Sequence, residues 1–312
     1  MFGFKKLKRY LRDPKFALGC DLIQKHPNWM SDKFFLEVQG RLNMGYKLNL
    51  EMPHTFCEKI NWLKLYERNP LYTVLVDKYR VKLWLQEHFC SDYIIPTLAV
   101  YETVDEINLD LLPDAFVIKC NHDSGSVYIC HDKSSGIYYD KYMNALTFNE
   151  VKSCLSKGLS HNFYFDNREW PYKNVSPCII VEKLLLQSDG TIPNDYKLFY
   201  INGEFEFTYV SYDREGVNDR CTYDKDWNRL PFVYVDHYNE IMNTSDVPCP
   251  ATYEQMLDFG KKISEYFKFV RVDLYDVDGK MYFGEVTPYH SAGYSKFYPE
   301  KYDAIYANKL KI

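Results

Sequence analysis

The residues whose types and spacing best fit catalytic chemistry lie near the carboxyl end of the sequence, in residues 269–287. At the start of this segment polar and apolar side chains alternate, which places Arg271 and Asp273 on one face of a predicted strand. The Asp278-Gly279 pair is typical of a tight turn between antiparallel strands. The segment is therefore predicted to form a β-hairpin.

The returning strand of this hairpin carries Glu285 and Thr287 on one face, so we expect a cluster with Arg271 and Asp273. Two carboxylates on one sheet face repel each other unless a positive group lies between them. Mg²⁺ meets that need and keeps coordination positions for phosphate oxygens. Pairing of both carboxylates with Arg271 on a solvent-facing sheet meets it equally well, and spacing alone does not separate the two interpretations.

A lysine ends another apolar strand, predicted over residues 115–120. Lys119 must reach an anionic partner there or extend its charged end to water. The loop that follows contains small and polar residues, which let backbone N–H groups approach phosphate oxygens. Its candidate residues are His122, Ser124, Gly125 and Ser126. An ordinary turn has the same composition, and the loop lacks the glycine spacing of a P-loop or a dinucleotide-binding fold.

Charged residues also interrupt apolar strands in the middle of the sequence. Glu182 and Lys183 follow the apolar start of one predicted strand, and Asp195 and Lys197 share a face at the start of the next. A cross-strand ion pair between Glu182 and Lys197 is one interpretation of these charges, and an exposed pair of that kind contributes little stability.

Both helices and strands are needed to position these residues. Apolar residues at helical spacing dominate residues 36–88, and two further helical stretches are predicted at 147–160 and 252–267. The predicted strands cover residues 93–101, 115–120, 126–130, 178–185, 196–201, 204–212, 269–275 and 280–286. Because few helices separate these strands, we predict an α+β fold with mainly antiparallel sheet.

The composition is that of a packed globular protein, with 312 residues of which 46% are apolar and 17% aromatic. A net charge of −5 is too even to predict a nucleic-acid-binding surface, and we expect no nucleic-acid partner. Nine cysteines without metal-binding spacing fit reduced thiols. With no apolar stretch long enough to span a membrane, we expect a cytoplasmic protein.

The segment before Pro14 alternates basic and apolar side chains at helical spacing. A terminal helix that packs on its own domain is the interpretation we favour. The alternative is peripheral contact of this basic helix with the anionic inner face of a membrane.

Together, the order of these elements resembles the ATP-grasp superfamily: a strand lysine, a small-residue loop, a Val-Glu-Lys-Leu segment, an Asp-Tyr-Lys strand, then Arg-x-Asp and Glu-x-Thr across a hairpin. More specifically, the chain is similar to the TupA-like ATP-grasp family, named for teichuronopeptide biosynthesis, over roughly residues 50–295. The similar stretches are residues 56–62, 68–73, 77–79, 119–122, 195–197, 271–273 and 284–287.

The resemblance implies two small, mainly antiparallel α+β subdomains that hold ATP and Mg²⁺ between them. The expected regions are an α-rich amino-terminal region at 1–75, a first ATP-grasp subdomain at 76–185, and a metal-binding subdomain at 186–312. By this resemblance Lys119 and Lys197 bind the ATP phosphates, and a loop covers the phosphates with His122, Ser124, Gly125 and Ser126. The backbone of Glu182, Lys183 and Leu184 contacts the adenine. A carboxylate, that of Glu182 or Asp195, accepts from the adenine or the ribose. The implied metal ligands are Asp273, Glu285 and Thr287, although most superfamily members carry Asn where Thr287 stands.

The activity that the resemblance implies is carboxylate–amine ligation through an acyl phosphate, with Arg271, Lys119 and Lys197 as catalytic residues. The expected carboxylate is that of a uronic acid or an amino acid, above all a uronic-acid-containing precursor of a cell-surface polysaccharide such as a capsule, either free or lipid-linked. The expected second substrate is an amino acid or another amine. The candidate substrate contacts are Arg214, Arg220, Arg271, Ser291 and Gly293.

Three other functions stay open. A kinase of the same fold would phosphorylate a sugar hydroxyl and need no amine. A glycosyltransferase would use Asp276 and Asp278 as a metal-binding D-x-D motif, although both acids are also expected in a turn. A scaffold would hold nucleotide without turnover. Lys78 is predicted to be structural, and His161, His237 and His290 are predicted to be surface or satisfied histidines and not bases.

Overall fold

The computed structural model describes residues 14–23, 28–89, 91–212, 219–235 and 246–312. Its α-helices are α1 (Pro14–Ile23), α2 (Asp32–Met44), α3 (Phe56–Tyr66), α4 (Leu71–Val76), α5 (Arg80–His88), α6 (Phe148–Ser160), α7 (Tyr164–Asn167), α8 (Tyr253–Ser264) and α9 (Lys301–Lys309). Its strands are β1 (Thr97–Tyr101), β2 (Phe116–Cys120), β3 (Val127–Cys130), β4 (Ile137–Asp140), β5 (Ala145–Thr147), β6 (Ile179–Lys183), β7 (Asp195–Ile201), β8 (Glu204–Tyr212), β9 (Asp219–Tyr223), β10 (Val233–Val235), β11 (Phe269–Val277), β12 (Lys280–Thr287) and β13 (Lys296–Tyr298).

The first sheet is antiparallel and has the strand order β1-β6-β2-β3-β4-β5. Helix α6 covers one face, where Val151 and Leu155 pack in the same cluster as Ile118 of β2. Since side chains alternate along a strand, Val117 and Lys119 lie on the opposite face. That uncovered face bears the lysine predicted to bind phosphate.

The second sheet is also antiparallel, with the order β12-β11-β7-β8-β9. On β11, Val272 and Leu274 pack with Met256 of helix α8 in one apolar cluster. The alternation places Arg271 and Asp273 on the other face. Burial of the apolar row therefore orients the polar row away from α8.

The other face of the second sheet continues into an aromatic cluster. Phe269 of β11 and Phe199 of β7 pack there with Phe56 of α3 and Phe297 of β13. The rings of Phe56 and Phe269 meet edge to face, with centroids 5.3 Å apart. This packing supports the sheet next to its charged residues and ties helix α3 to it.

The α+β prediction and the mainly antiparallel sheets are confirmed. Five strands were not predicted: β4, β5, β9, β10 and β13 have three to five residues each, too few for alternation to distinguish them from loops. The predicted strand 93–101 begins only at Thr97, because residues Ser91–Tyr93 form a 3₁₀ turn.

The predicted division at 185/186 falls between β6 and β7, and the division into three regions stays a prediction. No helix within the described ranges has the length and apolar character needed to cross a membrane. The basic segment before Pro14 lies outside the described residues.

Candidate active site

A row of charged side chains crosses three neighbouring strands of the second sheet. Asp273 of β11 lies directly opposite Lys197 of β7 on one side and Glu285 of β12 on the other. Lys197 Nζ donates to Asp273 Oδ2 at 2.9 Å. The structure thus brings the two acids predicted to bind metal onto one face, together with a lysine predicted to bind phosphate.

Arg271 bridges both carboxylates. Its Nε and Nη2 donate to the two oxygens of Asp273 at 2.6 and 2.7 Å, and Nη2 also donates to Glu285 Oε1 at 2.7 Å. Burial lowers the pKa of Arg271, but the charges of Asp273 and Glu285 outweigh it and raise the pKa overall. The structure contains the pairing of Arg271 with both carboxylates, but Asp273 is buried and does not face solvent; metal binding by the two acids stays a prediction.

His290 is buried beside this arginine. Arg271 Nη1 donates to His290 Nδ1 at 2.7 Å. Burial, and next the positive charge of Arg271, lower the pKa of His290 well below 6.5. The imidazole is therefore neutral and accepts the hydrogen bond. The sequence predicts a structural role for His290, since an isolated histidine carries no signal of this contact.

The first sheet presents a buried carboxylate between two lysines. Lys119 Nζ lies 2.6 Å from Glu182 Oε2, and Lys82 of helix α5 contacts the other oxygen. Burial raises the pKa of Glu182, but the two lysine charges outweigh it and lower the pKa. Glu182 thus stays ionised and positions Lys119. The interpretation of a Glu182–Lys197 pair is wrong, because Lys197 pairs with Asp195 and Asp273 instead.

A cavity of about 380 Å³ lies between the charged faces of the two sheets. Its polar lining includes Lys119, Glu182, Lys197, Arg271 and Asp273. Its apolar lining consists of Ile95, Val117, Val127, Ile129, Leu184, Leu185, Ile192 and Pro193, and Lys183 lies beside them. Charged and apolar walls together suit a ligand that has a flat apolar part and an anionic part.

Asp195 lines this cavity and has one buried oxygen without a hydrogen-bond partner among the described residues. Its Oδ2 accepts from Lys197, whereas Oδ1 is buried and has no hydrogen-bond partner in the described part of the chain. Glu182, the other carboxylate predicted to meet the adenine or ribose, has both oxygens paired with lysines. Asp195 is therefore the better placed of the two to accept from a ligand hydroxyl or amino group.

The loop predicted to cover the phosphates is only partly at the cavity. Ser124 lines it. His122 is buried, and its ring nitrogens contact Asn121 Oδ1 at 3.1 Å and the His161 carbonyl at 3.0 Å. Gly125 and Ser126 do not line the cavity; their backbone N–H groups donate to Asp123 Oδ1. The local Asp123 turn thus uses groups that were predicted to bind phosphate.

A second cavity, of about 520 Å³, shares a wall with the first. Lys78, Ser124, Arg271 and Glu285 line both. Lys78 Nζ donates to the Asp123 carbonyl at 2.6 Å and lies 3.8 Å from Glu285 Oε2. The sequence predicts a structural role for Lys78, since its place at the start of a helix gives no sign of these distant contacts.

The predicted substrate contacts are divided. Ser291 lines the second cavity, whereas Gly293 is buried behind it and accepts from Asn61 Nδ2 at 3.1 Å. Arg220 lies on β9 and lines neither cavity. Arg214 lies outside the described residues, as does His237.

The acids of the D-x-D alternative serve the backbone. Asp276 Oδ2 accepts from the N–H and hydroxyl of Thr252, and Oδ1 accepts from the N–H of Gly279. Asp278 lies in the hairpin turn with a positive φ of 50°. Neither acid lines the two cavities described above, and this geometry matches the turn role expected for them.

The donor set of the charged row fits Mg²⁺. Asp273, Glu285 and Thr287 supply oxygen atoms, and Thr287 already donates its hydroxyl to Glu285 Oε1 at 3.1 Å. Mg²⁺ is usually held by one or two carboxylates together with substrate phosphates. Within the described ranges, no group of three or more His, Cys, Asp or Glu side chains could hold a metal ion. Ligand oxygens would complete the coordination here.

A family model described as TupA-like ATPgrasp matches residues 58–311 of the chain. No curated protein matches the sequence.

The solved structures that match the chain include ligases. D-alanine–D-alanine ligase from Bacillus anthracis, complexed with ATP, is 15% identical with a TM-score of 0.38, over 69% of this chain and 54% of that one. The Helicobacter pylori D-alanine–D-alanine ligase is 14% identical with a TM-score of 0.43, over 82% and 69%. A RiPP-associated ATP-grasp ligase from Chryseobacterium gregarium, in complex with ADP and a leader and core peptide, is 11% identical with a TM-score of 0.39, over 80% and 65%. The chain thus spans about half the length of the first of these proteins.

Proposed function

The chain belongs to the TupA-like ATP-grasp family, and from this premise we propose that it is an ADP-forming ligase that uses ATP and Mg²⁺ to join a carboxylate to an amine. The observation that carries the proposal is the charged row of Lys197, Asp273 and Glu285, bridged by Arg271, across a cavity from the Lys119–Glu182 pair. Cations on both sheets and paired carboxylates on one are what a triphosphate with its metal requires.

ATP occupies the first cavity in this proposal. The apolar residues around Leu184 and Leu185 accommodate the base, and Asp195 Oδ1 accepts from an amino or hydroxyl group of the nucleoside. Lys119 and Lys197 meet the phosphates. Each lysine is held by a carboxylate, so little side-chain freedom is lost when phosphate binds. The regions 1–75, 76–185 and 186–312 remain our proposed division of the chain.

The first chemical step is the attack of a substrate carboxylate oxygen on the γ-phosphorus. A new O–P bond forms while the bond between the γ-phosphorus and the bridging oxygen breaks, so ADP leaves and an acyl phosphate remains. Lys119, Lys197 and Arg271 stabilise the charge that develops on the phosphoryl oxygens. Mg²⁺, held by Asp273, Glu285 and Thr287, would supply Lewis-acid stabilisation of the same oxygens.

The amine then attacks the carbonyl carbon of the acyl phosphate. The C–N bond forms, phosphate leaves with the electron pair of the C–O bond, and the nitrogen loses a proton to water to give the amide. Arg271 lies in the wall shared by both cavities, where its guanidinium faces the reacting carboxyl group. No covalent intermediate with a protein side chain is needed.

The substrate class is the finer part of the proposal. We assign the carboxylate to a uronic-acid-containing precursor of a cell-surface polysaccharide, because the family is named for teichuronopeptide biosynthesis. The reaction would take place in the cytoplasm, where ATP is available. The basic segment before Pro14 would keep the enzyme close to lipid-linked precursors.

The proposal is tested with the purified full chain, ATP, Mg²⁺ and D-glucuronate, with and without an amine such as L-alanine. We expect ADP release that depends on both the carboxylate and the nucleophile, and hydroxamate formation when hydroxylamine replaces the amine. A stable phosphoester formed without amine would identify a kinase. Tm stabilisation by a nucleotide sugar but not by ATP would identify a glycosyltransferase, and ATP binding without turnover would identify a scaffold.

A further inference from the structure

Glu169 is a buried acid in the second cavity that the proposed reaction leaves without a role. Its side chain lines the cavity although the residue is only 5% exposed. Within the described residues, no hydrogen bond or ion pair reaches its carboxylate. A buried carboxylate in that position is unfavourable unless a partner compensates it. Its exposure to the cavity indicates that the partner is a ligand.

Lys64, the nearest candidate for an internal partner, is engaged elsewhere. This fully buried lysine donates to the carbonyl oxygens of Asn167 and Ala292 at 3.0 and 2.7 Å. Burial raises the pKa of Glu169 to about 7, even though the charge of Lys64 acts to lower it. The charge of Lys64 therefore reduces the free-energy cost of burying the Glu169 carboxylate, but it does not cancel that cost.

The remaining lining of the cavity suits a small cation. Aromatic side chains of Phe163, Tyr172, Tyr289 and Tyr294 line it, and aromatic faces attract ammonium groups. An ammonium group would donate to the carboxylate of Glu169.

The cavity also opens onto the reacting groups. Arg271 and Glu285 belong to its wall and to the wall of the ATP cavity, so a ligand held here lies next to the site of acyl transfer. We propose that the second cavity is the amine site, where Glu169 binds the ammonium group of the incoming amine and selects amines over neutral hydroxyl compounds; the ammonium group loses one proton to water before its nitrogen attacks. This inference rests on the proposed ligase function.

Binding is tested apart from catalysis. The Tm of the full chain and of Glu169→Gln is measured with ethylammonium, ethanolammonium or L-alanine, against matched sodium chloride. We expect the amines to raise the Tm of the wild type but not that of the variant. Equal Tm shifts in both proteins, including no shift in either, overturn the assignment.

Two comparisons separate ligand binding from a structural role. Without ligand, Glu169→Gln should have an equal or higher Tm, since it removes an unpartnered buried charge; a lower Tm would show that Glu169 is a structural partner and overturn the proposal. The matched control is Asp166→Asn, which removes a nearby acid that pairs with His161 and lines neither cavity. It should keep the amine-dependent Tm shift, and its loss would overturn the proposal.

Turnover provides a second readout with ATP, Mg²⁺ and D-glucuronate. With ethanolamine, we expect Glu169→Gln to raise the KM for the amine by about tenfold to a hundredfold, the range for a hydrogen bond to a charged group. Hydroxylamine is largely uncharged at neutral pH and should still yield hydroxamate. An unchanged KM for ethanolamine would overturn the role of Glu169. Absence of ADP release with every nucleophile in the wild type would instead count against the ligase function, and the Tm measurement then decides the role of Glu169.

Discussion

Glu285 lies directly opposite Asp273 because one extra residue, Gly284, interrupts the pairing of β11 with β12. From the turn, Val277 pairs with Lys280 and the register continues regularly as far as Leu274 and Phe283. Without the bulge, Glu285 would lie opposite Val272, on the apolar face that packs against α8. The bulge therefore moves the carboxylate to the face of the charged row.

Gly284→Ala should disturb this register. A Cβ atom at this position would lie 3.0 Å from the Asp273 carbonyl oxygen and 3.0 Å from the Tyr275 ring. We expect the free energy of unfolding to fall by about 1–3 kcal/mol and ADP formation to fall at least about tenfold. Urea unfolding and an ADP assay measure both. Gly125→Ala, where a Cβ meets open space, is the control for stability. Equal stability of the two variants would show that the bulge tolerates a side chain.

Asp273→Asn should nearly abolish ADP formation, by about a hundredfold or more, because a neutral amide holds the metal more weakly than a carboxylate and cannot balance the charges of Arg271 and Lys197. Removing one partner of a buried charge network should also lower the free energy of unfolding by about 3 kcal/mol. Asp278→Asn is the matched control, since asparagine tolerates its positive φ. This control should keep wild-type turnover; its inactivity would restore the D-x-D interpretation.

Lys64→Met should disturb the lining of the second cavity without affecting the lining of the first. The lysine joins Asn167, the last residue of helix α7, to Ala292 of the 3₁₀ turn His290–Gly293, and both residues line the second cavity. We expect a loss of about 1–3 kcal/mol in the free energy of unfolding and a higher KM for the carboxylate or amine, with the KM for ATP unchanged. Lys59→Met is a matched control from the same helix, because Lys59 also donates to two carbonyls, those of Ala307 and Leu310. If both variants change the substrate KM equally, Lys64 has no specific role at the cavity.

The parts of the site that follow from local alternation could be predicted from the sequence. Alternation of apolar and polar residues places Lys197 on β7 and Asp273 on β11, whereas β2 is an apolar run in which Lys119 is the one charged residue. The bulge at Gly284 could not be predicted from the sequence, since regular pairing from the Asp278-Gly279 turn places Glu285 opposite Val272 and not opposite Asp273.

Residues whose roles depend on contacts between distant parts of the chain could not be recognised from the sequence pattern. Lys82 belongs to a helix, yet its ammonium group contacts Glu182, a hundred residues further along the chain. Lys78 and His290 likewise reach the site only through tertiary packing. Glu169 lies in a polar segment whose composition predicts a loop, and only the folded chain buries its carboxylate in a cavity. Sequence patterns describe single elements, whereas these contacts join separate elements.

The neutral state of His290 predicts how stability depends on pH. Burial and the charge of Arg271 hold its pKa well below 6.5 in the folded protein, whereas the unfolded chain takes up a proton near 6.5. The contribution of neutral His290 to the free energy of unfolding is therefore complete above pH 6.5. As the pH falls below 6.5, the free energy of unfolding decreases by up to about 1.4 kcal/mol per pH unit. Urea unfolding between about pH 7.5 and 5.5 should show a smaller decline for His290→Gln than for the wild type. His54→Gln, at an exposed histidine, should decline like the wild type. Identical declines in all three proteins would mean that His290 is protonated in the fold, and that Arg271 does not donate to its Nδ1.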